Sequence, residues 1–208
     1  MVKADGAKRY HHGELREALV AAGRKLLEEK GSRDFTLREC ARRAEVSHAA
    51  PAHHFASLGA LLAELATRGF RELAAAMTAE GARASASDPV SRLVAQGVGY
   101  MAFAAANPML FQLMFDRDAN RVETPDLAAA AKVAHGLHVA AVEAAIPSAS
   151  AEVRSRMVDF SWSSMHGFIA LVLGGQLGGE EESSGALKTR GLAILAAMAE
   201  TVVRTGSG

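Results

Sequence analysis

The sequence predicts an all-α fold of about nine helices, arranged as an N-terminal three-helix head followed by a larger C-terminal helical domain. Three observations carry this. Half of the residues are apolar, many of them Ala, while aromatics make up only 5% and runs of β-branched residues are nearly absent. Ala loses no side-chain entropy in a helix, so this composition favours helices over strands. Apolar residues recur at helical rather than strand period, and several of the periodic stretches open on a side chain able to cap a helix.

The first helix is expected over about 14–30, where Leu15, Ala18, Leu19, Ala22 and Leu26 form one apolar stripe and Gly31 marks the stop. Thr36-Leu-Arg-Glu39 reads as a capping box, in which the Thr hydroxyl and the Glu carboxylate satisfy each other's backbone N–H groups. Leu37, Cys40, Ala41 and Ala44 then give the second helix its apolar face. Ser47 offers an N-cap after only Glu45 and Val46, so a third short helix is expected through 48–54, with Pro51 near its start, where a missing N–H costs least. Ser57 caps a fourth helix to about Glu80, with Leu62, Leu65, Gly69 and Leu73 on one face. Two short helices split by a tight turn and braced by longer ones have the layout of a helix-turn-helix, whose second short helix projects into a DNA groove about 12 Å wide.

Residues 81–87 are small and polar, as suits a joint. Asp88-Pro89, Asn107-Pro108 and Thr124-Pro125 each place a capping side chain before a Pro at the first helical position, predicting helices at about 89–106, 108–115 and 125–146. Two more follow at about 151–177 and 186–204, parted by a Gly- and Glu-rich loop. The expected organisation is a helix-turn-helix DNA-binding domain at 10–56, a connecting helix at 57–80, and a ligand-binding and dimerisation domain at 88–206.

Charge and cysteine usage narrow the function. The chain is neutral overall, which argues against indiscriminate coating of nucleic acid, but residues 1–55 hold eleven Lys and Arg against eight Asp and Glu, with five of the eight histidines. A mildly basic front end suits a protein that touches DNA with one small part. Cys40 is the single cysteine, so no internal disulfide exists and a reducing cytoplasm is the expected location. No apolar stretch approaches the roughly 20 residues of a membrane span, so no membrane partner is expected. No phosphate-cradling Gly loop, nucleophile–base pair or metal motif is present, so neither an enzyme nor a cofactor is expected. His135, His138 and His166 lack the fixed spacing of a metal site.

The segments Tyr10-His-His-Gly-Glu-Leu15, Thr36-Leu-Arg-Glu-Cys-Ala-Arg-Arg-Ala-Glu-Val-Ser-His-Ala-Ala-Pro51 and His54-Phe55 resemble, in order and spacing, the DNA-binding domain of TetR/AcrR-type regulators. Trp162-Ser-Ser-Met-His166-Gly167 resembles the Trp-x-x-x-His-Gly signature of one C-terminal class in that family, and Asn107-Pro-Met-Leu-Phe-Gln-Leu-Met-Phe115 its Asn-Pro segment. The resemblance implies a transcriptional regulator: a homodimer on a palindromic double-stranded operator, repressing until a small ligand lowers DNA affinity. The chain departs from the pattern at Glu45, where the family usually has Gly, at Ala52, where it has an aromatic, and at Leu58-Gly59, where it has Lys-Glu. These departures motivate an alternative, a small-molecule-binding homodimer on the same scaffold with weak or lost DNA binding.

Phosphate contacts are expected from Thr36, Ser47 and His48, with Arg38, His53 and His54 nearby, while Ala49 and Ala50 are small enough to approach bases or a thymine methyl. Phe55 and Cys40 are expected in the core. Soft, bulky side chains concentrate after residue 81, and Tyr100, Phe103, Met109, Phe111, Met114, Phe115, Trp162, Met165 and His166 are the expected lining of a mainly apolar effector pocket. Leu171, Gly174 and Gly175, with Leu192, Leu195, Met198 and Val202, are the expected dimer interface, two helices from each subunit meeting about a two-fold axis.

Overall fold

The computed structural model describes residues 12–207, apart from 35, 48, 86–87, 120–121, 123 and 179–183. Among these the chain forms eight α-helices and one 3₁₀ turn: α1 (His12–Lys30), α2 (Leu37–Arg43), the 3₁₀ turn (Ala50–His53), α3 (Leu58–Gly81), α4 (Pro89–Ala106), α5 (Pro108–Phe115), α6 (Pro125–Ala145), α7 (Ala151–Leu173) and α8 (Ser184–Gly206). No strand is found among the described residues, and no single helix there is long and apolar enough to cross a membrane.

The caps that start most of these helices are local and behave as their side chains dictate. Thr36 Oγ1 accepts from Glu39 N at 3.2 Å and Glu39 Oε2 accepts from Thr36 N at 3.1 Å, closing the capping box. Asp88, Thr124 and Ser57 each accept from a backbone N–H in the first turn that follows. Asn107 departs from expectation. Its side chain makes no cap hydrogen bond; Nδ2 donates back to Phe103 O at 3.0 Å, and Oδ1 accepts from Arg24 at 2.7 Å. Pro108 still starts α5, because a Pro at the first position removes a donor that needed no partner.

Two boundaries also move. The third helix is a single 3₁₀ turn capped by Ala49 without a side-chain bond, so Ser47 is exposed rather than an N-cap. Pro51 lacks an N–H and restrains the residue before it, and His54 N closes the tighter i→i+3 bond to Pro51 O at 3.0 Å. α7 stops at Leu173 instead of 177: Gly175 adopts φ 73°, and Gln176 N and Leu177 N both bond back to Leu171 O. A glycine in the left-handed region just past a helix ends it in this way.

One continuous cluster of buried side chains runs from Leu19 in α1 to Val202 in α8, so head and C-terminal domain share a core. α3 is its axis. Gly69 of α3 lets Met114 and Leu110 of α5 close on its backbone, and Gly99 of α4 lies where an added Cβ would be 2.6 Å from Ala76 O of α3. Leu195, Met198 and Val202 of α8 belong to this core and are not on a free face. They turn inward because α8 packs on α4, with Leu195 seated over Gly97.

Candidate DNA-binding head and sensing domain

In the head, the 3₁₀ turn presents two different faces. Pro51 and Phe55 are buried, which anchors the turn; Ser47, Ala49, Ala52 and His53 are exposed, and His54 is half-buried. His48 lies outside the described residues, and of Ala50 only the backbone is described. The tight turn before Ser47 requires a left-handed residue, and Glu45 supplies it with φ 56°. Thr36 and Arg38 are exposed at the start of α2, beside the same surface.

The charges of the head divide into two sets. Arg16 is paired with Glu64 at 2.7 Å, Arg68 with Glu17 at 2.6 Å, Arg24 with Glu72 at 2.8 Å, and Arg43 with Glu29 at 2.7 Å. The first three staple α1 to α3, and the Arg16 guanidinium also lies 5.3 Å above the Phe55 ring. Hydrogen bonding to Arg68 holds the Glu17 carboxyl below its ordinary range, and the paired carboxylates raise Arg68 in turn. Arg38 and Arg42, by contrast, are exposed and carry no ion pair among the described residues. Arg42 is not among the candidates the sequence singles out. A lone Arg on a helix gives no sign of whether a carboxylate elsewhere will claim it.

Cys40 is buried, and burial pushes its thiol up to about 11. This is a core residue rather than a reactive thiolate.

In the C-terminal domain, five of the expected pocket residues meet in one aromatic cluster. Tyr100 of α4 is buried, its hydroxyl 2.8 Å from His166 Nδ1. Phe111, Phe115 and Trp162 surround the pair, with Phe115 4.4 Å from the His166 ring and Phe111 5.5 Å from Tyr100. Burial raises the Tyr100 hydroxyl well above its ordinary range and lowers His166, so the pair is held neutral and joined by one hydrogen bond. Beside the cluster, His138 Nε2 sits 2.8 Å from Ser161 Oγ, whose hydroxyl donates to Met157 O. Among the described residues no group of three His, Cys, Asp or Glu is placed to hold a metal.

The other expected pocket residues are dispersed. Phe103 and Met165 are buried, Met114 packs on Gly69 of α3, and Met109 reaches Gly31 in the α1–α2 turn. None of the nine lines a groove of about 710 Å³ between α4, the end of α7, the start of α8 and the last turn of α3. Of the expected interface residues, Leu171, Gly174, Gly175 and Leu192 are exposed. The outer faces of α7 and α8 add Phe160, Ser163, Ala193, Ala196 and Ala197 to this surface.

Residues 93–201 match the family model of the tetracyclin repressor-like C-terminal domain, and residues 19–65 that of bacterial regulatory proteins of the tetR family. Among solved structures, a protein of unknown function from Rhodococcus sp. RHA1 is 31% identical, with TM-score 0.76 over 95% of this chain and 98% of that one. PfmR from Thermus thermophilus, described as a TetR family transcriptional regulator, is 15% identical, with TM-score 0.63 over 88% of this chain and 97% of that one. A bacterial regulatory protein in the tetR family from Rhodococcus RHA1 is 16% identical, with TM-score 0.64 over 92% of this chain and 96% of that one. The last two bear on the fold alone. No curated protein matches the chain.

Proposed function

Since the chain belongs to the TetR family of bacterial regulatory proteins and is a DNA-binding transcriptional regulator, we propose that it acts as a homodimeric repressor, released from a palindromic operator by a small, mainly apolar effector. The observation that carries this is the two-faced 3₁₀ turn. Pro51 and Phe55 hold it in the core, while Ala49, Ala52 and His53 stand clear of the protein beside exposed Thr36, Arg38 and Arg42. In this reading Thr36, Arg38, Ser47, His48 and His53 touch phosphates and fix register, and the small Ala49 and Ala50 let the turn approach the bases.

The dimer would form through the outer faces of α7 and α8, where Leu171 and Leu192 are exposed among small residues. Two-fold pairing would place two heads about one helical turn of DNA apart.

α5 supplies the link from effector to head. Phe111 and Phe115 stand in the aromatic cluster, Leu110 and Met114 close on Gly69 of α3, Met109 meets Gly31 in the α1–α2 turn, and Asn107 is bonded to Arg24 of α1. An effector that favours a different α5 position shifts α1 and α3 together, and with them the spacing of the heads. It then weakens operator binding by the same coupling free energy with which the operator weakens effector binding.

Titrating the protein against the DNA upstream of its own reading frame, at several salt concentrations, tests this. Saturable binding is expected at an inverted repeat, with log affinity falling linearly against log salt. Salt-insensitive binding, or none, would overturn the repressor reading and favour a ligand-binding dimer that has lost DNA affinity.

A further inference from the structure

The groove between α4, α7 and α8 lies apart from the aromatic cluster and borders the outer face at Leu192. Its volume of about 710 Å³ falls in the range of roughly 300–1,000 Å³ that small-molecule sites occupy. Its walls are apolar: Val98, Met101 and Ala102 from α4, Phe168 and Val172 from α7, Leu187 from α8. One end is shut by a close seam, because Gly191 of α8 lies where an added Cβ would be 2.7 Å from Met101 Sδ and 3.1 Å from the Phe168 ring.

Two observations choose the occupant. Phe168 and Ile169 of α7 are buried toward α4, while Phe160 and Leu171 of the same helix are exposed on its other side. The groove is therefore walled within one protomer and meets the outer face only at its edge, where Leu192 of α8 lines it. The charges decide the rest. Three charged side chains line it, Glu80, Arg83 and Lys188. Glu80 and Arg83 are bonded to each other, whereas Lys188 has no ion pair among the described residues. An apolar groove with one ammonium group that has no ion pair among the described residues complements a molecule with an apolar tail and a single acidic head.

We propose that this groove binds an amphipathic monoanion of the fatty-acid class, its chain against Met101, Phe168 and Val172 and its acid group on Lys188. The proposal rests on the regulator reading above and names a ligand site that reaches the head through α3 rather than through the aromatic cluster on α5. Since Glu80 and Arg83 belong to the end of α3 and the turn after it, a molecule in the groove touches the same helix whose other end, at Ser57, begins beside the DNA-facing turn.

Calorimetric titration of the full-length protein, without DNA, tests it with dodecanoate, dodecanol and dodecylammonium as probes. Dodecanoate should bind saturably and most tightly, and dodecylammonium most weakly. Lys188→Glu should weaken dodecanoate by about tenfold or more while leaving dodecanol within about twofold, since a hydrogen bond to a charged group is lost and the apolar walls are not. Ala102→Trp, which fills the trough from an exposed helix position, should abolish binding of both. Equal binding of all three probes, no response to Lys188→Glu, or unaltered binding in Ala102→Trp would each overturn the proposal. Lys188 is exposed, so its variant should keep the helical circular dichroism of the parent. With no DNA in the cell, a negative result here leaves the repressor reading to be judged by the operator titration alone.

Discussion

Glu45 shows how one backbone angle carries both a local and a functional consequence. Its φ of 56° lies in the left-handed region, which a side chain with Cβ occupies at a penalty. Glu45→Gly should therefore raise the unfolding free energy by about 1 kcal/mol, read from denaturant midpoints. The same change removes a carboxylate from beside the turn proposed to face DNA, so operator affinity should rise rather than fall. His138 carries a second prediction. Burial pushes its ring from an ordinary 6.5 down to about 4, so the folded protein holds it neutral where the unfolded chain protonates it. Its contribution is fully present above pH 6.5 and is lost as pH falls toward 4, amounting to roughly 3 kcal/mol at most. Unfolding free energies measured between pH 7 and pH 4.5 should show this slope, and His138→Asn should flatten it. The carboxylates Glu17 and Glu64 are held low by their arginine partners and add their own losses only at more acid pH.

At the scale of elements, helix starts were legible and helix neighbours were not. Thr36, Asp88 and Thr124 cap as their spacing implies, because a cap joins groups within one turn. Asn107 fits the same pattern yet bonds to Arg24, eighty-three residues away, since a nearby guanidinium competes for its oxygen. The α1–α3 staples were equally hidden: Arg16–Glu64 and Arg24–Glu72 share a spacing of 48 residues that acquires meaning only once the two helices are side by side. Glycines divide in the same way. Gly99→Ala would drive a methyl to 2.6 Å from Ala76 O, forcing α3 and α4 apart, and should destabilise by about 1–3 kcal/mol. Gly136→Ala, on the open side of α6 with nothing within 4 Å, should instead stabilise by up to about 1 kcal/mol through helix propensity. Denaturant unfolding of the two variants side by side checks both signs.

At the scale of the molecule, the proposed dimer turns on which faces of α7 and α8 remain uncovered. Leu195, Met198 and Val202 are consumed by the protomer's own core, whereas Leu171 is 45% exposed and Leu192 39% exposed. Leu171→Glu should leave the fold intact, shift sedimentation from dimer to monomer, and reduce operator affinity sharply, because two linked heads bind far more tightly than one. A monomeric parent protein would rule out the proposed interface. The aromatic cluster and the groove were inseparable in the sequence, since both are built from bulky residues on α4 and α7, and only packing sorted Tyr100 and His166 into a closed cluster and Met101 and Phe168 into an open wall.

The order of residues alone determined the all-α fold and most of the helix starts, because helical period, capping and proline placement act over a few neighbouring positions. Only the tertiary structure decided which apolar faces would be buried, which arginines would be neutralised and where a cavity would remain. Those outcomes depend on which helix lies beside which, and a pairing between distant segments leaves no mark on either one by itself.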